Sequence, residues 1–168
     1  TVEGRERTYL LHAPPSHSGA NAAPLVLVFH GAYGRGAIAA KMSGFSRYAD
    51  RERFLVVYPD GIEQSWNDGR GTTPADKQGV DDVAFVSALI DHLAQQFAID
   101  RSRIYAAGMS NGAIFSFRIG CELSDRIAGI AAVAGMMAEA IVPSCAPQLP
   151  VSVLILKGTT DPLTPYEG

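Results

Sequence analysis

Ser110 has a glycine two residues to either side, in Gly108-Met109-Ser110-Asn111-Gly112, directly after the strand-like run Ile104-Tyr105-Ala106-Ala107. A serine at such a junction sits on a strand-to-helix turn sharp enough to strain its backbone. The glycines lack the bulk that would stop the turn from closing. The turn presents a hydroxyl as a nucleophile. At its free pKa that hydroxyl is weak, so the chemistry requires a general base beside it. Chance gives roughly 0.1 such pentapeptides in a chain of this size. An ordinary serine in a glycine-bounded turn is therefore the competing reading until the context is added.

Two further features stand where strands are expected to end. His30-Gly31-Ala32-Tyr33-Gly34 follows the apolar run 25–29. Its glycines let backbone N–H groups approach a developing oxyanion, with Ala32 the first choice of donor and Tyr33 the second. The N–H of Asn111, at the positive end of the helix after the turn, is the other expected donor. Lys157-Gly158-Thr159-Thr160-Asp161-Pro162 follows the run 151–156. A carboxylate there orients a histidine and stabilises its imidazolium, although an aspartate before proline is also a common turn residue. The order is oxyanion loop, nucleophile, acid. His30 itself, closing a core strand, reads as a packed hydrogen-bonded residue rather than a base.

These residues need a framework that brings strand ends together. Strand-like segments are expected at 8–12, 25–29, 54–58, 104–107, 128–133 and 151–156. Pro59-Asp60-Gly61 marks a turn, and a long loop follows over 61–80 with Trp66 in it. Asp81 or Asp82 caps a helix whose Val83, Val86, Ile90, Leu93 and Phe97 make one apolar stripe. A second helix is expected over 113–123. Alternating strands and helices with continuously apolar strands predict one α/β domain. Its sheet should be mostly parallel and covered on both faces, with its sites at the carboxyl ends of the strands.

The chain has 168 residues, of which 47% are hydrophobic and 18% charged, a globular composition. A net charge of −3 with 14 scattered basic residues gives no footprint for nucleic acid. The run 127–138 is too short to span a membrane and ends at Glu139. Asp60, Glu63, Asp68, Asp76, Asp81 and Asp82 do not follow a calcium-loop spacing, and no zinc or nucleotide-phosphate motif occurs, so neither metal nor cofactor is expected. Cys121 and Cys145 are the only cysteines. They form either a disulfide, which fits an exported protein, or two buried thiols. Tyr33 and Trp66 are the candidate substrate contacts through their rings, with loop anchoring the alternative for Trp66.

The chain resembles the α/β-hydrolase esterases grouped with polyhydroxybutyrate depolymerase-like and feruloyl or acetylxylan esterase-like proteins. The matching stretches are RTYLLHAPP at 7–15, PLVLVFHG at 24–31, WNDG at 66–69, VDDVAFV at 80–86, the Ser110 pentapeptide, and GTTDPLTPY at 158–166. The resemblance implies Ser110 as nucleophile and Asp161 as the triad acid. It also implies an exported, secreted or periplasmic enzyme that needs no cofactor. Its substrates would be esters of plant polysaccharides, storage polyesters or small acyl esters.

Ala113 stands where such proteins often carry another glycine. More consequentially, the resemblance implies a histidine after the acid, beyond another strand and helix. His12, His17, His30 and His92 all precede Ser110. The expectation is that the sequence is part of a longer polypeptide, inert alone for want of that base. The alternatives are a polyhydroxyalkanoate depolymerase, a serine peptidase or acyltransferase on the same fold, or a silent domain that holds polysaccharide in a Trp66 cleft.

Overall fold

A computed structural model describes residues 1–19 and 21–166; Ala20, inside the expected polar turn over 14–23, and the last two residues lie outside the described residues. In chain order the elements are β1 (Tyr9–His12), β2 (Ala23–Phe29), α1 (Gly36–Ser43), α2 (Phe45–Glu52), β3 (Leu55–Pro59), α3 (Pro74–Lys77), α4 (Asp82–Gln96), β4 (Ile99–Met109), α5 (Asn111–Glu122), β5 (Gly129–Val133) and β6 (Ser152–Leu156). The six strands form one sheet in the order β1-β3-β2-β4-β5-β6, with β1 antiparallel to β3 and every other pairing parallel.

The pleat sorts the apolar runs onto two faces. Leu25, Leu27, Phe29, Leu55, Val57, Ile104, Ala106, Ile130 and Ala132 point to one side and pack with the stripes of α4 and α5. Val26, Val28, Val56 and Tyr58 point to the other, where Ala39 and Ala49 bring α1 and α2 against them. Asp81 is the residue that caps α4, its carboxylate accepting from the Ala84 N–H at 2.8 Å.

Three expectations are corrected. The loop 61–80 carries structure of its own, a 3₁₀ turn at Ile62–Gln64 and the helix α3, which Thr73 and Asp76 close with a reciprocal capping box. The helix after Ser110 begins at Asn111, not Ala113, because Ser110 itself is its N-cap. Coverage on both faces holds only over β2 and β3. On the α1 side, Tyr105, Met109, Val133, Leu154 and Leu156 are exposed, and β6 is exposed along its whole length. An apolar trough of about 430 Å³, lined among others by Ile38, Met42, Phe45, Met109 and Val133, runs from that bare face to the loop after β2.

The cysteines are bridged. Cys121 at the end of α5 joins Cys145 across 24 residues, with their Cα atoms 5.1 Å apart. The bridge ties the loop that feeds β6 to the helix that follows Ser110.

Candidate active site

The backbone at Ser110 has φ 53° and ψ −120°, a left-handed conformation that serine adopts only when its surroundings impose it. Those surroundings are specific. A Cβ on Gly108 would meet the Gly112 carbonyl oxygen at 2.1 Å, and a Cβ on Gly112 would meet the carbonyl oxygens of Phe29 and His30 at 2.5 Å. Both glycines are therefore required by close backbone approach. The Ser110 N–H donates to the Val133 carbonyl at 2.9 Å, pinning the turn to β5. Ser110 is half-buried, and no hydrogen bond to its hydroxyl occurs among the described residues.

The loop after β2 lies beside this turn: a Cβ on Gly31 would sit 3.5 Å from that of Ser110. Tyr33, with φ 62°, donates its N–H to the Gln64 carbonyl at 2.9 Å, so that donor is taken. The Ala32 N–H has no partner among the described residues. Tyr33 is 88% exposed. His30 is buried, and its two ring nitrogens have different jobs. The Gly61 N–H donates to Nε2 at 3.0 Å, which requires that nitrogen to be unprotonated. Nδ1 therefore carries the proton and donates to the Gly31 carbonyl at 2.7 Å. Burial holds the His30 pKa below its ordinary value. His30 is thus a neutral structural residue, in line with the sequence reading.

Trp66 is fully buried, which excludes it from the surface and corrects its expected substrate contact. It anchors its loop instead. Its ring stacks on Phe115 of α5 at 5.2 Å and meets Phe29 edge-on at 5.1 Å. The backbone N–H of Trp66 donates to Asn111 Oδ1 at 2.8 Å, and Asn111 Nδ2 returns a bond to the Trp66 carbonyl at 3.1 Å. Asn111 Nδ2 also donates to Asp68 Oδ2 at 2.6 Å, and Arg70 pairs with the same buried carboxylate. Next to it, Asn67 receives Arg118 of α5 at 2.6 Å and donates its N–H to Asp82, which is itself paired with buried Arg7.

Sequence reasoning missed Asn67, Asp68, Asp82, Arg7 and Arg118 as one assembly. The signal was the crowding of acids in this region, considered there as metal ligands and, for Asp81 or Asp82, as a helix cap. These carboxylates accept hydrogen bonds that fasten the loop.

Asp161 leaves from the same sheet edge as Ser110. Strand registers align Met109 with Val133 and Val133 with Leu156, so the turns that follow β4 and β6 emerge at the same end of the sheet, with β5 between them. The Asp161 carboxylate is engaged by its own turn. It accepts from the Thr164 hydroxyl at 2.8 Å, from the Leu163 and Thr164 N–H groups at 2.9 and 3.1 Å, and from Lys157 at 3.3 Å. These bonds, the Thr164 hydroxyl foremost, hold its pKa well below the usual carboxylate range. None of the four histidines partners it or Ser110; His12 pairs with Asp50, and His92 bonds Gln96 on the exposed side of α4.

A family model described as "Esterase PHB depolymerase" matches residues 7–159. The chain belongs to that family. NocK of Nocardia uniformis subsp. tsuyamanensis is 33% identical over 168 residues, covering 99% of this chain and 48% of the relative. Feruloyl esterase B of Piromyces equi is also 33% identical over 168 residues, covering 96% of this chain and 30% of that protein. A crystal structure of a thermostable esterase superposes with a TM-score of 0.76 at 22% identity, over 98% of this chain and 46% of that one. The family chain has the α/β-hydrolase fold, and it spans half or less of the length of these relatives.

Proposed function

We propose that this chain is the nucleophile-bearing part of a serine carboxylic-ester hydrolase. The observation that carries the reading is the left-handed Ser110 turn between two sterically required glycines, with a free Ala32 N–H in the adjacent loop. In the proposed reaction the Ser110 hydroxyl attacks the ester carbonyl carbon while a histidine takes its proton. The carbonyl oxygen becomes an oxyanion received by the N–H groups of Ala32 and Asn111. Collapse expels the alcohol, which takes the proton back from the imidazolium, and water then releases the acid from the acyl-enzyme by the same route. Asp161 orients the histidine. To do so its carboxylate must give one of its oxygens to the imidazole in exchange for a bond within its own turn.

The histidine belongs, in this reading, to polypeptide past Gly168. The bare apolar face of β4, β5 and β6 supports it, since an apolar strand exposed on both sides is a surface that further chain would cover. Exported localisation is supported by the Cys121–Cys145 bridge, which persists in oxidising compartments. For substrate we propose feruloyl or acetyl esters of plant polysaccharide, or short-chain esters. The likeness to a feruloyl esterase favours the first and the family description keeps storage polyesters in the panel. Exposed Tyr33, beside the Ser110 turn, is the proposed contact for the acyl or sugar ring. A binding-only domain loses its support with the burial of Trp66, the residue on which that alternative rested.

Ser110→Ala in the full-length protein tests the assignment with p-nitrophenyl acetate. About a 10⁶-fold loss of kcat is expected, and retained turnover overturns it. Methyl ferulate, acetylated xylan and polyhydroxybutyrate, compared by kcat/KM, then rank the substrate classes.

A further inference from the structure

The two proposed oxyanion donors come from different segments, Ala32 after β2 and Asn111 at the start of α5. The sheet brings them close, with Phe29 of β2 beside Gly108 of β4 and Gly112 against the Phe29 and His30 carbonyls. These contacts do not direct the two N–H groups at one point to the few tenths of an ångström that transition-state stabilisation needs. One residue touches both segments with directed bonds. The Trp66 indole N–H donates to the His30 carbonyl at 3.0 Å, while the Trp66 backbone N–H and carbonyl hold the Asn111 side chain at 2.8 and 3.1 Å. The Trp66 ring also lies against the His30 imidazole, 4.9 Å between centroids.

Each end of this link is itself fixed. On the Ala32 side, the His30 Nδ1–H and the Gly34 N–H, at 2.7 and 3.1 Å, both donate to the Gly31 carbonyl. In a trans peptide the carbonyl and the next N–H point in opposite directions. Holding the Gly31 oxygen toward His30 therefore turns the Ala32 N–H away from it and leaves that donor free. On the Asn111 side, the Asp68 carboxylate takes the remaining Nδ2 proton at 2.6 Å, and Thr73 donates its hydroxyl to the Trp66 carbonyl at 2.9 Å. Asp68 and Trp66 are both fully buried, so no water competes for these bonds.

We propose that Trp66 is a positioning residue that sets the distance and orientation between the two halves of the oxyanion hole, with Asp68 locking its grip on Asn111. It touches no substrate. The inference rests on the reading of Ala32 and Asn111 as the donors and adds to it the device that holds them in register. Removing the indole N–H should leave ground-state binding intact and weaken only the interaction made in the transition state.

The test uses the full-length protein and a p-nitrophenyl ester. Trp66→Phe keeps the ring stack on Phe115 but loses the bond to His30. A fall in kcat of about 10- to 100-fold with KM within about 2-fold is expected. An aryl boronate, which forms a tetrahedral adduct on the serine, should lose affinity by the same factor. Asp68→Asn is the second variant and carries the test where Trp66→Phe does not fold. Its melting temperature and far-UV circular dichroism, compared with wild type, report that the chain is folded. A fall in kcat of about 5- to 10-fold is expected for it. Values of kcat within 2-fold of wild type in the folded variants, or a rise in KM alone, overturn the proposal. Inactive wild type, or turnover in Ser110→Ala, sinks the esterase reading instead and is distinguishable from either result.

Discussion

The half of the sheet that presents Ser110 and the half that presents Asp161 are built on different terms. Around Ser110, β2 is buried and β4 is buried on the face that meets α4 and α5, the glycines are in backbone contact, and Trp66, Asn111 and Asp68 lock the loop 61–80 across the turn. Around Asp161, β6 is exposed along its length, and the carboxylate is satisfied by residues within four positions of itself. The nucleophile's geometry is thus imposed by distant parts of the chain, the acid's by its own turn. Strain such as the Ser110 backbone carries persists only where the environment overdetermines it, as the contacts of Gly108 and Gly112 do here.

That contrast can be broken first at the acid. Asp161→Asn in the full-length protein should lower kcat by about 10⁴-fold, because the histidine loses its orienting carboxylate. A moderately lower melting temperature is expected beside it, since the carboxylate accepts four hydrogen bonds within its turn and an amide cannot replace them all. A large thermal shift with modest loss of rate would make Asp161 a structural turn residue.

Glycine substitutions sharpen the same contrast. Gly112→Ala drives a Cβ into two backbone carbonyls and should cost about 3 kcal/mol or more in denaturant unfolding. Gly158→Ala meets nothing within 4 Å and should stay within about 0.5 kcal/mol. Equal effects would erase the distinction between the two halves.

The disulfide joins the two regions. Replacing both cysteines by serine should lower stability by about 3 kcal/mol from the 24-residue separation, read by urea unfolding. No change would mean that the β6 side is not coupled to α5.

The smallest effect concerns His30. Its folded pKa lies below the unfolded value, so the unfolded chain binds more protons below about pH 6.5. Stability should therefore be fully present above that pH and decline as pH falls toward the folded pKa. Protonating Nε2 would also set an N–H against the Gly61 donor. In His30→Gln this part of the pH slope should disappear from a series of melting curves.

Much of this was legible in advance where the chemistry is local. The continuously apolar runs marked six strands, the Val83 to Leu93 stripe marked α4, and the glycine pair marked the turn at Ser110. Strand ends shifted by a residue or two, except that β4 begins at Ile99. The polar residues 100–103 lie in an exposed stretch that no apolar pattern marks. Burial of Trp66 was not legible, because a tryptophan in a long loop is equally suited to a cleft or a core. Its partners are 36 and 45 residues away.

Sequence alone determined which residues have the chemistry: a serine between glycines, a glycine-rich loop and an aspartate after strand-forming runs, each set by backbone sterics within a few positions. Tertiary structure decided which of two adjacent N–H groups is free, which nitrogen of His30 holds its proton, and that Trp66 joins two loops rather than meeting a substrate. Those outcomes depend on hydrogen-bond partners supplied from elsewhere in the chain, and a partner 30 to 45 residues distant leaves no periodicity to read.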